Sequence, residues 1–195
     1  MKKYKKQEYV TSRTRENIIN VASCLFSEYT YLGVSMSDIA ERLNITKAAL
    51  YYHFKSKTEI YREVLDQIFY KLKQSIIEAS GKKGTINKKL YELIKNYLDF
   101  GSREKNLVRV LTLKISPNSS EINKYILKLR KRIVNLIQPL IEEVVLNKKI
   151  TGKVDSYLVT SLLAGMMDGL LLEYSFLNKK IDLVKVTNQI IAVLF

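Results

Sequence analysis

The sequence predicts an all-α fold: an N-terminal domain of three helices containing a helix-turn-helix, then a C-terminal helical bundle, with about nine helices in all. The 195 residues include only two prolines and seven glycines, too few for a turn-rich β fold. Apolar residues recur at helical spacing along most of the chain. Helix-start signals precede several of these stretches, since Ser35 with Asp38 and Ser56 with Glu59 match capping boxes.

The charge balance limits the classes of partner. The chain carries 33 Lys and Arg against 19 Asp and Glu, a formal net charge of +14, which indicates nucleic acid or an anionic membrane surface. The single cysteine, Cys24, excludes a disulfide within one chain and fits a reducing cytoplasm. Residues 156–177 resemble a membrane span, but Asp168 and Glu173 interrupt them. We therefore expect a helix buried in a bundle or an oligomer interface, and no membrane partner.

Local signals place the elements in order. A flexible basic arm is predicted for residues 1–11, where lysines dominate and no apolar signal-peptide stretch occurs. Helical spacing and caps then predict helices, from the N-terminus onward, at residues 13–29, 36–43, 47–54, 57–80, 86–100, 104–115, 122–146, 154–177 and 181–195.

The two short helices 36–43 and 47–54, joined at Asn44 and Ile45, form a helix-turn-helix pattern. On a helical wheel Leu50 and Phe54 share one face, which we expect to be buried, while Tyr52 points away from it. The remaining surface combines small residues, aromatic hydroxyls, an imidazole and cations, which suits the major groove of DNA. The predicted DNA-binding residues are Ser37, Thr46, Lys47, Ala48, Ala49, Tyr51, Tyr52, His53, Lys55 and Lys57.

Other interpretations of these residues stay open. His53 could be a packed structural histidine, and Tyr51 or Tyr52 could belong to the core. The N-terminal lysines could be a solvated tail or a minor-groove arm. A metal site and a catalytic triad both lack partners, because His53 is the only histidine and Cys24 lies far from it in sequence. We expect no enzyme activity, metal or cofactor.

Three stretches carry a resemblance to a known family: TRENIINVASCLFSEY, SMSDIAERL and ITKAALYYHFKSKTEIY. Together they resemble the DNA-binding domain of the TetR/AcrR transcriptional regulators, over about residues 12–72. In that resemblance Thr46, Lys47, the run Tyr51 to His53, and Lys57 match DNA-contacting positions. Thr30 and Asn44 stand where the family often has glycine; asparagine tolerates left-handed backbone better than most residues.

The resemblance implies a dimeric repressor that binds a palindromic operator and is released by a small-molecule effector, with residues 73–195 as the ligand-binding and dimerisation domain. Effector binding would tilt helix 57–80 and change the spacing of the two recognition helices. The alternatives are a helical protein-interaction module and a basic membrane-surface protein. Bulky side chains suggest a ligand pocket at Tyr97, Phe100, Leu111, Tyr125, Met166 and Met167. The last two helices would form the dimer interface through Leu158, Leu162, Gly165, Gly169, Ile190 and Leu194.

Overall fold

The computed structural model describes residues 2–81, 83–104, 120–147 and 155–194, and over these residues every regular element is an α-helix. The predicted all-α fold is confirmed. The helix predicted at residues 104–115 and the pocket residue Leu111 lie outside the described residues. The helices are α1 (Lys2–Tyr29), α2 (Met36–Arg42), α3 (Lys47–His53), α4 (Lys57–Ser80), α5 (Ile86–Arg103), α6 (Ser120–Asn147), α7 (Ser156–Phe176) and α8 (Leu183–Leu194).

The backbone is helical from Lys2 onward, so residues 2–11, for which the sequence predicts a flexible arm, belong to α1. Lys, Gln and Glu are good helix formers, and neither proline nor glycine separates Lys2 from the amphipathic part of α1. The predicted bounds of the other described helices agree with the structure to within a few residues.

The chain divides into two compact units. The first unit comprises residues 1–67 and 114–123, and the second comprises residues 68–113 and 124–195. The division falls inside α4, five residues before the predicted boundary at 72. The sequence of α4 contains neither glycine nor proline, and the helix is unbroken at the point of division. None of the described helices has the length and apolar character needed to cross a membrane.

In the first unit, the apolar stripe of α1 packs with α2, α3 and the first turns of α4. Ile18, Ala22, Ile39, Leu50 and Phe54 are all buried there. The caps form as the sequence predicts. Ser35 and Asp38 make a reciprocal capping box at the start of α2, and Thr46 caps α3 by accepting a hydrogen bond from the Ala49 N–H. The short helices thus begin at residues fixed by local sequence.

In the second unit, α5 packs against α7 and α8. The core contains a buried carboxylate, Asp168 on α7. Its Oδ1 accepts a 2.6 Å hydrogen bond from the Tyr97 hydroxyl on α5, and its Oδ2 accepts one from Arg130 on α6. Burial raises the pKa of Asp168, and the bonds from Tyr97 and Arg130 oppose that rise without cancelling it. One carboxylate therefore connects three helices.

Two residues that link helices of the first unit adopt left-handed backbone. Thr30, which follows α1, has φ of +64°, and Asn44, between α2 and α3, has φ of +55°. These are the two positions where the TetR/AcrR resemblance leads one to expect glycine. A β-branched residue is strained in this region, whereas asparagine enters it more readily.

Replacing Thr30 by glycine should stabilise the protein by about 0.5–1 kcal/mol, because relief of the left-handed strain exceeds the added entropy of the unfolded chain. Chemical denaturation of Thr30→Gly against the natural sequence measures the change. Asn44→Gly is the matched control, and its gain should be smaller. A Thr30→Gly variant that is less stable than the natural protein contradicts the assignment of strain.

Asp168 should make folding stability depend on pH. Its folded-state pKa lies above its ordinary value of 3.8, so its contribution is complete below that value and is lost as the pH rises through the folded-state pKa. The variant Asp168→Asn does not titrate, and its free energy of unfolding should improve relative to the natural protein as the pH rises from 3.8 through the raised folded-state pKa of Asp168. Asp99→Asn, which removes a half-exposed carboxylate, is the control. If the difference in free energy of unfolding between Asp168→Asn and the natural protein does not vary with pH, the pKa of Asp168 is not raised.

Candidate nucleic-acid interface

The turn between α2 and α3 is held by backbone hydrogen bonds. The Asn44 N–H donates to the Glu41 carbonyl at 2.9 Å, and the Ile45 N–H donates to the Ala40 carbonyl at 3.0 Å. The left-handed Asn44 reverses the chain, and Thr46 then starts α3. The structure therefore contains the predicted helix-turn-helix in the predicted register.

Helix α3 has one buried side and one open side. The side chains of Leu50 and Phe54 are 0% exposed, whereas Tyr51 is 51% and Tyr52 is 79% exposed. This is the division that the helical wheel predicts. Two large aromatic side chains left in solvent on a seven-residue helix are unusual for a packing role. The alternative that both tyrosines belong to the core is excluded.

The other predicted contact residues lie around the tyrosines. Lys47, Ala48, Ala49 and Lys55 are exposed, as is Thr46, while Ser37 and His53 are half-buried. The His53 ring meets the Tyr52 ring edge-on at 5.1 Å between centroids. The hydroxyl of Thr46 already caps α3. The exposed face of α3, defined here as Lys47, Ala48, Tyr51 and Tyr52, offers a cation, a small residue and two phenols on one surface.

Lys57 has a structural role that the sequence did not indicate. Its Nζ donates hydrogen bonds of 2.8 Å to the carbonyl oxygens of Tyr31 and Val34, and it lies 4.3 Å from the centroid of the Tyr31 ring. Burial lowers the pKa of Lys57, and the charge of Asp38 opposes this. An ammonium has three donors, and two of them hold the α1–α2 loop. The predicted phosphate contact of Lys57 therefore loses support.

Arg15 on α1 is a residue that sequence reasoning missed. Its Nη1 donates to the His53 carbonyl at 2.7 Å, its Nη2 donates to Glu63 at 2.6 Å, and its guanidinium lies 3.9 Å from the Phe54 ring centroid. The available signal was its position on the apolar stripe of α1, three residues before the buried Ile18. A cation on a buried stripe needs partners from other helices.

The predicted pocket residues of the second unit do not converge on one cavity. Tyr97, Phe100 and Met167 are buried in the core, and Tyr125 and Met166 are half-buried. Met166 lines a groove of about 380 Å³ between α7 and α8. A second cavity of about 460 Å³ contains none of the predicted residues, and its walls are Gly101, Ser102, Leu171, Tyr174, Ser175, Asn178, Lys179, Lys180 and Ile181.

The predicted dimer residues differ in exposure. Leu158 and Leu162 on α7 are 56% and 53% exposed, which is high for leucine. Gly169 is exposed, with open space beside its Cα. Gly165 lies near the end of the Arg130 side chain. Leu194 is half-buried. Ile190, however, is only 3% exposed within the single chain. Its side chain packs in the core and has almost no surface to offer a partner, so that assignment is not supported.

Metal chemistry finds no support among the described residues, where no group of three His, Cys, Asp or Glu side chains is close enough to hold an ion.

Comparison with known sequences gives two family matches that together cover most of the chain. Residues 18–64 match the family described as bacterial regulatory proteins, tetR family. Residues 61–195 match the family described as YsiA-like protein, C-terminal region. The first match contains α2 and α3 in full, and the second contains all the described helices from α5 onward.

Curated relatives are regulators of a biofilm operon. The negative transcriptional regulator IcaR of Staphylococcus aureus is 33% identical over 111 residues, which are 57% of this chain and 59% of the relative. IcaR of Staphylococcus epidermidis is 46% identical over 55 residues, 28% of this chain and 30% of the relative. The matches thus span less than two thirds of the length of these relatives.

Solved structures share the fold across nearly the whole chain. The regulator FadR from Bacillus subtilis, solved in complex with stearoyl-CoA, superposes with a TM-score of 0.78 at 22% identity, covering 91% of this chain and 95% of that one. FadR from Bacillus halodurans gives a TM-score of 0.80 at 18% identity, covering 92% and 93%. At these identities the likeness shows the fold. The two family matches, together with the helix-turn-helix geometry, establish that this chain belongs to the TetR/AcrR family of transcriptional regulators.

Proposed function

We propose that this regulator is a repressor that acts in the cytoplasm, binds a palindromic operator as a homodimer, and leaves it when a small-molecule effector binds the second unit. It would have no catalytic role. The observation that carries the proposal is the exposed face of α3, where Tyr51, Tyr52 and Lys47 lie in solvent opposite the buried Leu50 and Phe54. Repression is also the role of the IcaR relatives, which are negative transcriptional regulators.

The chemistry of this face suits a duplex. The major groove is about 12 Å wide and admits a single helix. The small side chain of Ala48 at the centre of the face lets the backbone of α3 approach base edges. Phenol hydroxyls can donate to phosphate oxygens or base acceptors, and Lys47 can pair with a phosphate. The formal net charge of +14 adds sequence-independent attraction to the same partner.

Dimerisation supplies the second half of the recognition surface. A seven-residue helix contacts few bases, and dimers of helix-turn-helix proteins read two half-sites related by the protein's two-fold axis. We assign the dimer interface to the exposed apolar side chains of the last two helices, Leu158 and Leu162 of α7 and Val193 of α8. The open space at Gly169 would let another helix approach closely.

The effector site that we favour is the 460 Å³ cavity at the end of α7. Its volume falls in the range of small-molecule sites. Leu171 and Ile181 supply apolar contact, while Ser102, Ser175 and Lys179 supply polar groups and positive charge. This lining suits an amphipathic anion. Stearoyl-CoA, the ligand in the Bacillus subtilis FadR structure, is such a molecule, so acyl-CoA thioesters are the first class to consider.

Substitution of the exposed face of α3 should remove selective DNA binding without unfolding the protein. For Lys47→Ala and Tyr51→Ala we expect at least about tenfold weaker binding to a duplex that the natural protein selects from a random library, with unchanged helical circular dichroism. For Lys47→Ala the slope of log affinity against log salt should also fall by about one.

Matched controls for this experiment are Tyr70→Ala and Lys128→Ala, which remove an equally exposed tyrosine and lysine from α4 and α6. Both should bind the selected duplex as the natural protein does. If the natural protein selects no sequence, or if the α3 variants and the controls bind alike, α3 is not the recognition helix. Binding to anionic vesicles in place of a selected duplex would favour a membrane-surface protein.

The assigned dimer interface predicts that Leu162→Glu dissociates the dimer. A two-fold interface buries the substitution twice, and each unpaired carboxylate loses its hydration, so the dimer dissociation constant should rise at least about a hundredfold. Sedimentation equilibrium measures it. Leu127→Glu, on an equally exposed leucine of α6, is the control and should leave the constant unchanged. Equal effects of the two variants would place the interface elsewhere.

A further inference from the structure

The carboxyl end of α3 receives a hydrogen bond from a side chain of another helix. Helix α3 has seven residues, and at its end Phe54 adopts an extended conformation while its N–H donates to the Leu50 carbonyl. The His53 carbonyl, at the last position of the helix, has no intrahelical donor. Arg15 supplies one by donating from Nη1 to the His53 carbonyl at 2.7 Å. A cation at this position also faces the negative end of the helix dipole.

Arg15 is itself held by α4. Its Nη2 donates to Glu63 Oε1 at 2.6 Å and approaches Glu59 Oε1 at 3.5 Å. Glu59 is fixed in turn, because its Oε2 accepts from the Lys55 N–H at 2.8 Å and its own N–H donates to the Ser56 hydroxyl. The two carboxylates together raise the pKa of Arg15 against the lowering effect of its burial. The guanidinium is thus oriented by groups outside α3.

The stacking on Phe54 completes the arrangement. The guanidinium carbon lies 3.9 Å from the ring centroid, and Phe54 is one of the two side chains that anchor α3 in the core. One planar group therefore contacts the last carbonyl of α3, the side chain that follows it, and the second turn of α4. A rotation of α3 about Leu50 and Phe54 would break these contacts.

We propose that Arg15 is a positioning residue for DNA recognition: it fixes the orientation of α3 on the first unit, and so the aim of Tyr51 and Tyr52, without contacting DNA itself. This inference rests on the proposed function of α3. Its consequence is a loss of discrimination between duplexes when the contacts of Arg15 are weakened, with little change in the number of phosphates that the protein neutralises.

Glu63→Gln gives the sharpest test, because positioning and simple electrostatics predict opposite results. Removing a negative charge should strengthen binding to any DNA. If Arg15 positions α3, however, affinity for the selected duplex should fall about threefold to fivefold, since the bond to Arg15 is no longer charge-assisted. Glu121→Gln is the matched control in the same unit: Glu121 pairs with Arg62 and makes no contact with Arg15. It should leave discrimination intact.

Arg15→Lys keeps the charge but replaces the planar fork with one ammonium. We expect about tenfold weaker binding to the selected duplex, near-unchanged binding to an unrelated duplex, and an unchanged salt slope. A salt slope lower by about one, with both duplexes weakened equally, would show that Arg15 contacts a phosphate and would overturn the proposal. Unchanged affinity in both Arg15→Lys and Glu63→Gln would overturn it too.

A measurement without DNA separates this proposal from the proposed function. In Arg15→Lys the amide of Phe54, bonded to the Leu50 carbonyl, should exchange its hydrogen faster than in the natural protein, while the amide of Leu43 in α2 should not change. If the natural protein selects no duplex, the proposed function fails, whatever the exchange result. If it selects one and the Phe54 amide is unaffected, Arg15 does not hold α3 and the positioning role fails alone.

Discussion

The surface that we propose for DNA binding depends on a helix that is too short to be stable alone. Isolated helices below about 12 residues are marginal in water, and α3 has seven. Its existence and direction therefore come from outside contacts: Leu50 and Phe54 buried in the first unit, the Thr46 cap at its start, and the Arg15 bond at its end. With both ends and one face fixed, only the remaining face is free to meet a partner.

The second unit uses a different means of fixing its helices. The carboxylate of Asp168 connects α5, α6 and α7, and as a buried charge it carries a desolvation penalty that Tyr97 and Arg130 only partly offset. Leucine in this position would bury more favourably but would accept no hydrogen bond. What the carboxylate adds is specificity of packing, because Tyr97 and Arg130 are satisfied only when the three helices align. A unit that is proposed to change state on binding an effector gains from having one such defined arrangement.

Sequence reasoning succeeded where the determining interactions are local. The capping box of Ser35 and Asp38, the turn at Asn44 and the wheel of α3 each involve residues a few positions apart, and the structure has all of them. The predicted box at Ser56 forms in part: the Glu59 N–H donates to the Ser56 hydroxyl, but the Glu59 carboxylate accepts from the Lys55 N–H. It failed where the partner is distant in the chain. The contact of Arg15 with His53 spans 38 residues and that of Lys57 with Tyr31 spans 26, so no local pattern identifies either partner. Ile190 is a similar case, since only the packed structure shows that its side chain is buried within the single chain.

The two contacts that sequence reasoning did not find, those of Lys57 and Arg15, both involve α4. This suggests a route by which the proposed effector would act. Lys57 and Glu63 both belong to the first turns of α4, and α4 continues in sequence into the second unit. Lys57 holds the α1–α2 loop, and Glu63 holds Arg15 and through it the end of α3. A displacement of these turns relative to α1 would therefore reach α3 through a hydrogen-bonded guanidinium, whose attraction falls steeply with misalignment. The proposed release from DNA could therefore proceed by movement of α4, without unfolding of the helix-turn-helix.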